Sequence, residues 1–477
     1  MFPRPGLFTS IALRRPIASL LLCWISGALI AQTPSKHPPT HSPMPPADTA
    51  ALHSALDAYD QGNAQQAEPA LRALVQKYPA NYEANEALGS LYAEAGDLAR
   101  ALPYLQQSCA IAPREALAHA NLGAAYLKLR QSAAAVHELQ QAAVLNPSNG
   151  LTQSNLGQAL VLSGDPKAAA KAFAIASKLS PDDTGTKYNW ALALYDSGSN
   201  KAAADLLESL PSAAMTDQVH SLAGDAEERA REFQKALSHF QAAARLNPSD
   251  ANLYALTTEL LRHWTWREAI QVAHYGSTRY PASTHFKLAE GIGFYGDSAY
   301  RDAVRVFSEL LQTEPENAAV ADLLGRSCTL LADGDSAGCG GLHEFAERHP
   351  GNAVTSTYAA VAILHEPKEN QNLDEAARLL HSAIKADPRY AEAYYQLGVL
   401  EQTRLDWKQS AIDLEQSIAL RPKSPEAHYR LSRAYNHLGK RDEAQAEVAL
   451  HEAYSQQAKD SIDARMQEVV RFLLKPS

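Results

Sequence analysis

The chain has 477 residues, 46% of them apolar, and a formal charge of −10 from 43 basic and 53 acidic side chains. Such an acid excess excludes nucleic acid as the main ligand, because binding phosphates needs a clustered positive surface. Length alone suggests about three globular domains, a division that the order of the residues overrides.

Residues 1–31 hold three arginines and no acid, with Arg14 and Arg15 ahead of an apolar run from Ile17 to Ala31 that ends in small residues. This is the pattern of an export signal, and at about fifteen residues the run is short for a membrane span. Cleavage after Ala31 is expected, with no membrane insertion afterwards and a periplasmic or secreted location; an uncleaved N-terminal membrane anchor is the alternative. Leu22 before Cys23 argues against a lipid anchor, and Arg14-Arg15-Pro16 is a poor twin-arginine signal. Residues 32–47, with Pro34, Pro38, Pro39, Pro43, Pro45 and Pro46, predict an extended linker.

From Asp48 onward the chain is periodic. Proline recurs at 79, 113, 147, 181, 248, 281, 315, 350, 388 and 422, mostly 33 to 35 residues apart. With each proline as position 32, position 8 is glycine at Gly89, Gly123, Gly157, Gly224, Gly291 and Gly398. Position 20 is alanine at eight places from Ala67 to Ala376. Position 11 is large (Tyr92, Tyr126, Tyr435), and position 24 is leucine or phenylalanine (Leu105, Leu139, Phe173, Phe240, Phe307). Small residues where backbones approach and large ones as ridges predict helix pairs, with positions 4, 7, 8 and 11 buried and proline ending the second helix. Leu98, Phe233, Trp266, Tyr300 and Trp407 at position 17 are expected to staple the turn. Trp264 has no packing role in this scheme.

This pattern resembles the tetratricopeptide repeat (TPR) over residues 48–450. The resemblance implies an all-α, right-handed α-solenoid of about 11 to 12 TPR helix-turn-helix repeats. Two irregularities are expected. The unit after Pro181 lacks its closing proline, and the unit from Gly351 to Pro388 has extra residues around His365 to Asn372. Residues 451–477, with Ile462, Met466, Val469 and Leu473 at helical spacing, predict a C-terminal capping helix.

In such arrays the stripe at positions 2, 6, 9 and 13 resembles the lining of the groove. Asn121, Asn155 and Asn189 occupy position 6 of three successive units. An amide offers a donor and an acceptor together, so a ladder of them can pair with the backbone of an extended peptide. The three are similar to the asparagine ladder in the TPR superhelix of O-linked N-acetylglucosamine transferase, although no catalytic domain is expected here. A carboxylate clamp is not expected, because position 5 holds Glu86, Ala120, Ser154 and Tyr188 where that clamp needs lysine. Charge along the stripe runs from Glu83, Ser90 and Glu94 to Arg430, Arg433 and His437.

No motif for a catalytic nucleophile, phosphate loop or zinc site is present, so catalytic and metal sites are expected to be none and no cofactor is expected. Cys328 and Cys339, near positions 11 and 21, are expected to form a disulfide across one helix pair; Cys109 is expected to be a packed thiol. The sequence therefore reads as a non-catalytic scaffold or adaptor for protein or peptide ligands. The alternative is an accessory subunit of an envelope or glycan-assembly enzyme complex.

Overall fold

The computed structural model describes residues 44–331, 338–367, 369 and 371–473. Among them there are 24 α-helices and no strand, and the chain divides at Pro248 into two units. The N-terminal unit contains six helix pairs. These are α1 (Pro46–Asp60) with α2 (Ala64–Lys77), α3 (Tyr82–Glu94) with α4 (Leu98–Ile111), and α5 (Ala116–Lys128) with α6 (Ser132–Leu145). They continue with α7 (Gly150–Leu162) and α8 (Pro166–Leu179), α9 (Thr184–Asp196) and α10 (Asn200–Glu208), and α11 (Asp217–Ala230) and α12 (Phe233–Leu246).

The C-terminal unit also holds six pairs. They are α13 (Asp250–Arg262) with α14 (Trp266–Arg279), α15 (Thr284–Gly296) with α16 (Tyr300–Thr313), and α17 (Ala318–Cys328) with α18 (Gly341–Arg348). After these come α19 (Ala353–Leu364) and α20 (Leu373–Ala386), α21 (Ala391–Thr403) and α22 (Trp407–Leu420), and α23 (Pro425–His437) and α24 (Arg441–Leu473). Within each unit every helix packs on the next, and each first helix also touches the first helix of the following pair. First helices thus form one layer and second helices the other, the solenoid expected from the repeat.

Local chemistry starts and stops these helices. Asn81, Asn149, Asp183, Asn317 and Ser424 cap first helices by accepting a backbone N–H, and Asn63, Asp97, Asp165, Asn372 and Asp406 cap second helices in the same way. The turn between them needs a left-handed residue at position 15, supplied by Gly62, Gly96, Gly164, Gly198 and Gly439 but also by Trp264 (φ 60°). Trp264 therefore occupies a left-handed turn position that takes glycine in five repeats and Arg130, Arg231, Ser298 and Leu405 in four others, and it stays partly exposed.

Packing across each pair centres on position 8. A Cβ built on Gly157 would lie 2.7 Å from Phe173, one on Gly291 2.5 Å from Phe307, and one on Gly398 2.6 Å from Leu414. The glycine is there because the position-24 side chain lies directly on its Cα. The alanines at position 20, from Ala67 to Ala376, are fully buried beside it.

Two further contacts join neighbouring repeats. The carbonyl of the closing proline accepts from position 4 of the next repeat: Asn85 Nδ2 to Pro79 (3.0 Å), His119 Nε2 to Pro113 (3.1 Å), Tyr394 Oη to Pro388 (3.3 Å) and His428 Nε2 to Pro422 (2.8 Å). Position 17 meets position 13 of the next repeat, where Trp266 covers Gly296 and Trp407 stacks on His437 with ring centroids 3.6 Å apart. The aromatic residue at 17, read from sequence as a staple of its own turn, thus also joins one repeat to the next.

The irregular units depart as their sequences require. Pro211 stops the unit after Pro181 early, so α10 has nine residues and a short 3₁₀ turn (Ser212–Ala214) precedes α11. Between α19 and α20 the longer loop is tied by Gln371 Nε2, which donates to the carbonyls of Leu364 and Glu366 at 2.8 Å each. Helix α24 runs unbroken for 33 residues from Arg441 to Leu473, with no interruption at 450.

Polar residues intrude at position 11, which is usually bulky and apolar, and at position 23 opposite it. Tyr92 and Tyr104 show the ordinary pairing, with ring centroids 5.9 Å apart; Glu227 with His239 and Glu401 with Asp413 replace it. Burial pushes the Asp413 carboxyl up to about 6, against a reference of 3.8. Between those values the folded state holds a proton that the unfolded state has lost, so this group lowers stability as pH rises from about 4 to 6. Asp413→Asn is expected to raise the unfolding free energy at pH 7.5 by on the order of 1 kcal/mol after solvent screening, and to change it little at pH 4. Urea titrations at the two pH values check this.

Candidate functional site

The face carried by first helices α5, α7 and α9 holds the three asparagines, but in unequal settings. Asn121 is only 7% exposed, and its Nδ2 donates to Glu86 Oε1 (2.7 Å) and Ser90 Oγ (3.1 Å). Glu86 is itself buried, accepts from Ser108 Oγ, and has its carboxyl pushed up by burial against the opposing pull of these hydrogen bonds. The Asn121 amide nitrogen is therefore committed to holding a buried carboxyl, a role its register position did not disclose. Asn155 and Asn189 are half-buried, and neither amide makes a hydrogen bond to another described residue. Gln158, Leu162, Leu192 and Asp196 lie half-buried on the same helices.

The charged residues expected along this stripe are also partly engaged. Glu94 accepts from Tyr59 Oη (2.8 Å), Ser90 is buried, and His437 lies flat on Trp407. In the C-terminal unit Arg433 is exposed, while Arg430 is half-buried with Nη1 3.5 Å from Gln402 Oε1.

Cys328 ends α17, and its Sγ is bonded to that of Cys339, with the Cα atoms 6.2 Å apart and both residues buried. Cys339 lies two residues ahead of α18, not inside a second helix as its register suggested. Glycines destabilise helix, and Gly338 adopts φ 98° with Val304 Cγ1 only 2.9 Å from where its Cβ would stand. Cys109 is a half-buried free thiol 4.0 Å from His119 Nδ1, and burial pushes its pKa up, so it stays protonated.

A second polar cluster escaped the sequence reading. Where repeats carry histidine at position 4, its Nδ1 faces position 23. His119 Nδ1 lies 2.6 Å from Glu138 Oε2, and His428 Nδ1 meets Glu447. In the α11–α12 pair position 23 is His239 instead, with its Nδ1 2.8 Å from His220 Nδ1 and its Nε2 3.4 Å from Glu227 Oε1. Glu227 is fully buried, and neither of its oxygens has a hydrogen-bond donor among the described residues. Burial, with the carboxyl of Glu208 beside it, pushes Glu227 up to about 8, while burial lowers His239 and His220. The visible signal in the sequence was a glutamate at position 11, where Leu160, Leu194 and Leu260 stand in other repeats.

Among the described residues no helix is long and apolar enough to cross a membrane. Residues 1–31, and most of the linker expected over 32–47, lie outside the described residues. A family model described as tetratricopeptide repeat matches residues 53–116, 120–184 and 368–405. No curated protein matches the sequence. Among solved structures, the chain is similar to Naa15/Naa10 bound to HypK-THB, at 13% identity over 85% of this chain and 68% of that one, with a TM-score of 0.40. It is similar to YrrB, described as a TPR protein with an unusual peptide-binding site, at 19% identity over 40% and 97% (TM-score 0.36). It is also similar to the APC/C hetero-tetramer Cut9-Hcn1, at 14% identity over 86% and 87% (TM-score 0.33). Repeats of this kind generally serve as non-catalytic scaffolds for protein contacts.

Proposed function

We propose that this stack of tetratricopeptide repeats is a protein-interaction scaffold that holds extended polypeptide along its first-helix layer, outside the cytoplasm. The observation that carries the reading is the pair Asn155 and Asn189. They sit on adjacent first helices, half-exposed, and their amides make no hydrogen bond among the described residues. Each can accept from a peptide N–H and donate to a peptide carbonyl, so the pair reads backbone and tolerates varied side chains. Gln158 on the same face adds a third such amide, and Leu162 and Leu192 supply apolar contact beside it.

The location rests on two features. The apolar run of residues 17–31 behind Arg14 and Arg15 is an export signal by pattern, and a disulfide between Cys328 and Cys339 persists in an oxidising compartment. The protein therefore works in the periplasm or beyond it.

The test separates binding from folding. Asn121→Ala would strip the buried Glu86 carboxyl of one of its two donors and destabilise the N-terminal unit by about 1–3 kcal/mol, so it does not report on capture. Asn155→Ala with Asn189→Ala leaves that network intact. The chain from Gln32 onward, used as bait in an envelope extract, is expected to retain specific partners that the double variant loses at least tenfold, with both proteins melting within about 2 °C of each other. Equal capture by the two would contradict the ladder.

A further inference from the structure

We propose that Glu208, Glu227 and His239 form a divalent-cation site of the zinc type within the α10–α12 region, with His220 as its positioning residue. The three side chains come from three successive helices, and one ligand atom from each lies within 4.8 Å of the others. Glu227 supplies the independent observation: a fully buried carboxyl whose oxygens make no hydrogen bond among the described residues, His239 Nε2 lying 3.4 Å from Oε1, and which faces His239 and Glu208. A carboxyl placed so deep with no well-formed hydrogen bond is costly to ionise, and a cation among these three groups would offset that cost.

The contrast with the sister repeats sharpens the assignment. In the pairs α5–α6 and α23–α24 the position-4 histidine is satisfied on both nitrogens, by a glutamate at position 23 and by a proline carbonyl. Here the glutamate is absent from position 23 and a carboxylate appears at position 11, on the far side of His239. His239 can then present Nε2 to a metal while its Nδ1–H donates to His220 Nδ1 at 2.8 Å. Ligating histidines ordinarily carry such an outer partner, which fixes tautomer and ring orientation.

Glu208 ends the shortened α10 and is partly exposed, so the site opens to solvent on that side. Its Oε1 is held by Lys235 Nζ at 2.7 Å, which leaves Oε2 to ligate. Two carboxylates and one imidazole leave a fourth, tetrahedral position for water, a donor set that suits Zn²⁺ or Co²⁺ better than Mg²⁺ or Ca²⁺.

The full chain, freed of metal by chelation, is titrated with Zn²⁺ by calorimetry and with Co²⁺ by visible absorption. The expected result is one site per chain with a dissociation constant of about 10 μM or tighter, a tetrahedral cobalt spectrum and a melting temperature that rises with Zn²⁺. Glu227→Gln and His239→Ala should abolish all three, whereas His220→Ala should keep the 1:1 stoichiometry but weaken it about 10- to 100-fold. Replacement of exposed His137 by alanine should change nothing. Glu227→Leu restores the residue type of the sister repeats, so it is expected to fold at least as stably as the metal-free wild type and to gain nothing from Zn²⁺. The absence of a 1:1 site in the wild type, or the same affinity in Glu227→Leu, would overturn the assignment.

Discussion

Replacing Phe307 by alanine is expected to lower the stability of the C-terminal unit by about 3–5 kcal/mol. Phe307 is completely buried on α16, and its ring lies on the bare Cα of Gly291. Truncation removes apolar contact, and the residue across the pair has no side chain that could move into the space. The site therefore collapses poorly, which puts the cost at the high end of large-to-small changes. Gly291→Leu alone should be comparably harmful, because its Cβ would lie 2.5 Å from the Phe307 ring. Combined with Phe307→Ala, it moves the missing volume to the opposite helix. The double variant should then recover part of the loss, giving a coupling well above the ~0.5 kcal/mol scatter of independent sites. Urea unfolding of the four proteins measures it; strictly additive losses would contradict the packing described for positions 8 and 24.

Reducing the bond between Cys328 and Cys339 is expected to lower the stability of the same unit by about 3 kcal/mol, from the entropy of a loop closed over 11 positions. In a unit of this size that corresponds to about 6–12 °C in melting temperature. The effect should concentrate around α17 and α18, because α18 has only eight residues and follows a glycine-rich approach that gives it little intrinsic helicity. Hydrogen exchange with and without reductant should show protection lost from α18 before α21. Intact-mass analysis of native protein in which both cysteines accept an alkylating agent would contradict the bond.

The repeat was legible in the sequence because its marks are steric. Proline at 32, alanine at 20 and glycine at 8 each have one main physical reason to recur, and they recur with the same register inside the family match at residues 53–116, 120–184 and 368–405 and outside it, as at Gly224, Ala236 and Pro248. Contacts joining one repeat to the next were less legible. The preceding proline carbonyl is captured by Asn85, His119, Tyr394 and His428, three side-chain types for one task, so no single residue type marks the position.

The candidate face was read only in outline. Register placed Asn121, Asn155 and Asn189 on one stripe, but it could not show that Glu86, one repeat earlier, draws Asn121 into a buried network. Cys339 lies outside a helix because the surrounding glycines override the register count. Glu227 went unnoticed for a different reason: a single acid among many attracts no attention until the position it occupies is known to be buried.

The most direct test of the proposed binding face is site-specific photocrosslinking in the native protein. A photoreactive residue placed at Gln158, on first helix α7, is expected to crosslink partner polypeptide, and one placed at Ile175, exposed on second helix α8, is not. The account also predicts that the Gln158 crosslink disappears in the Asn155→Ala and Asn189→Ala background. Crosslinks from Ile175 with none from Gln158 would place the partner on the second-helix layer and contradict the account.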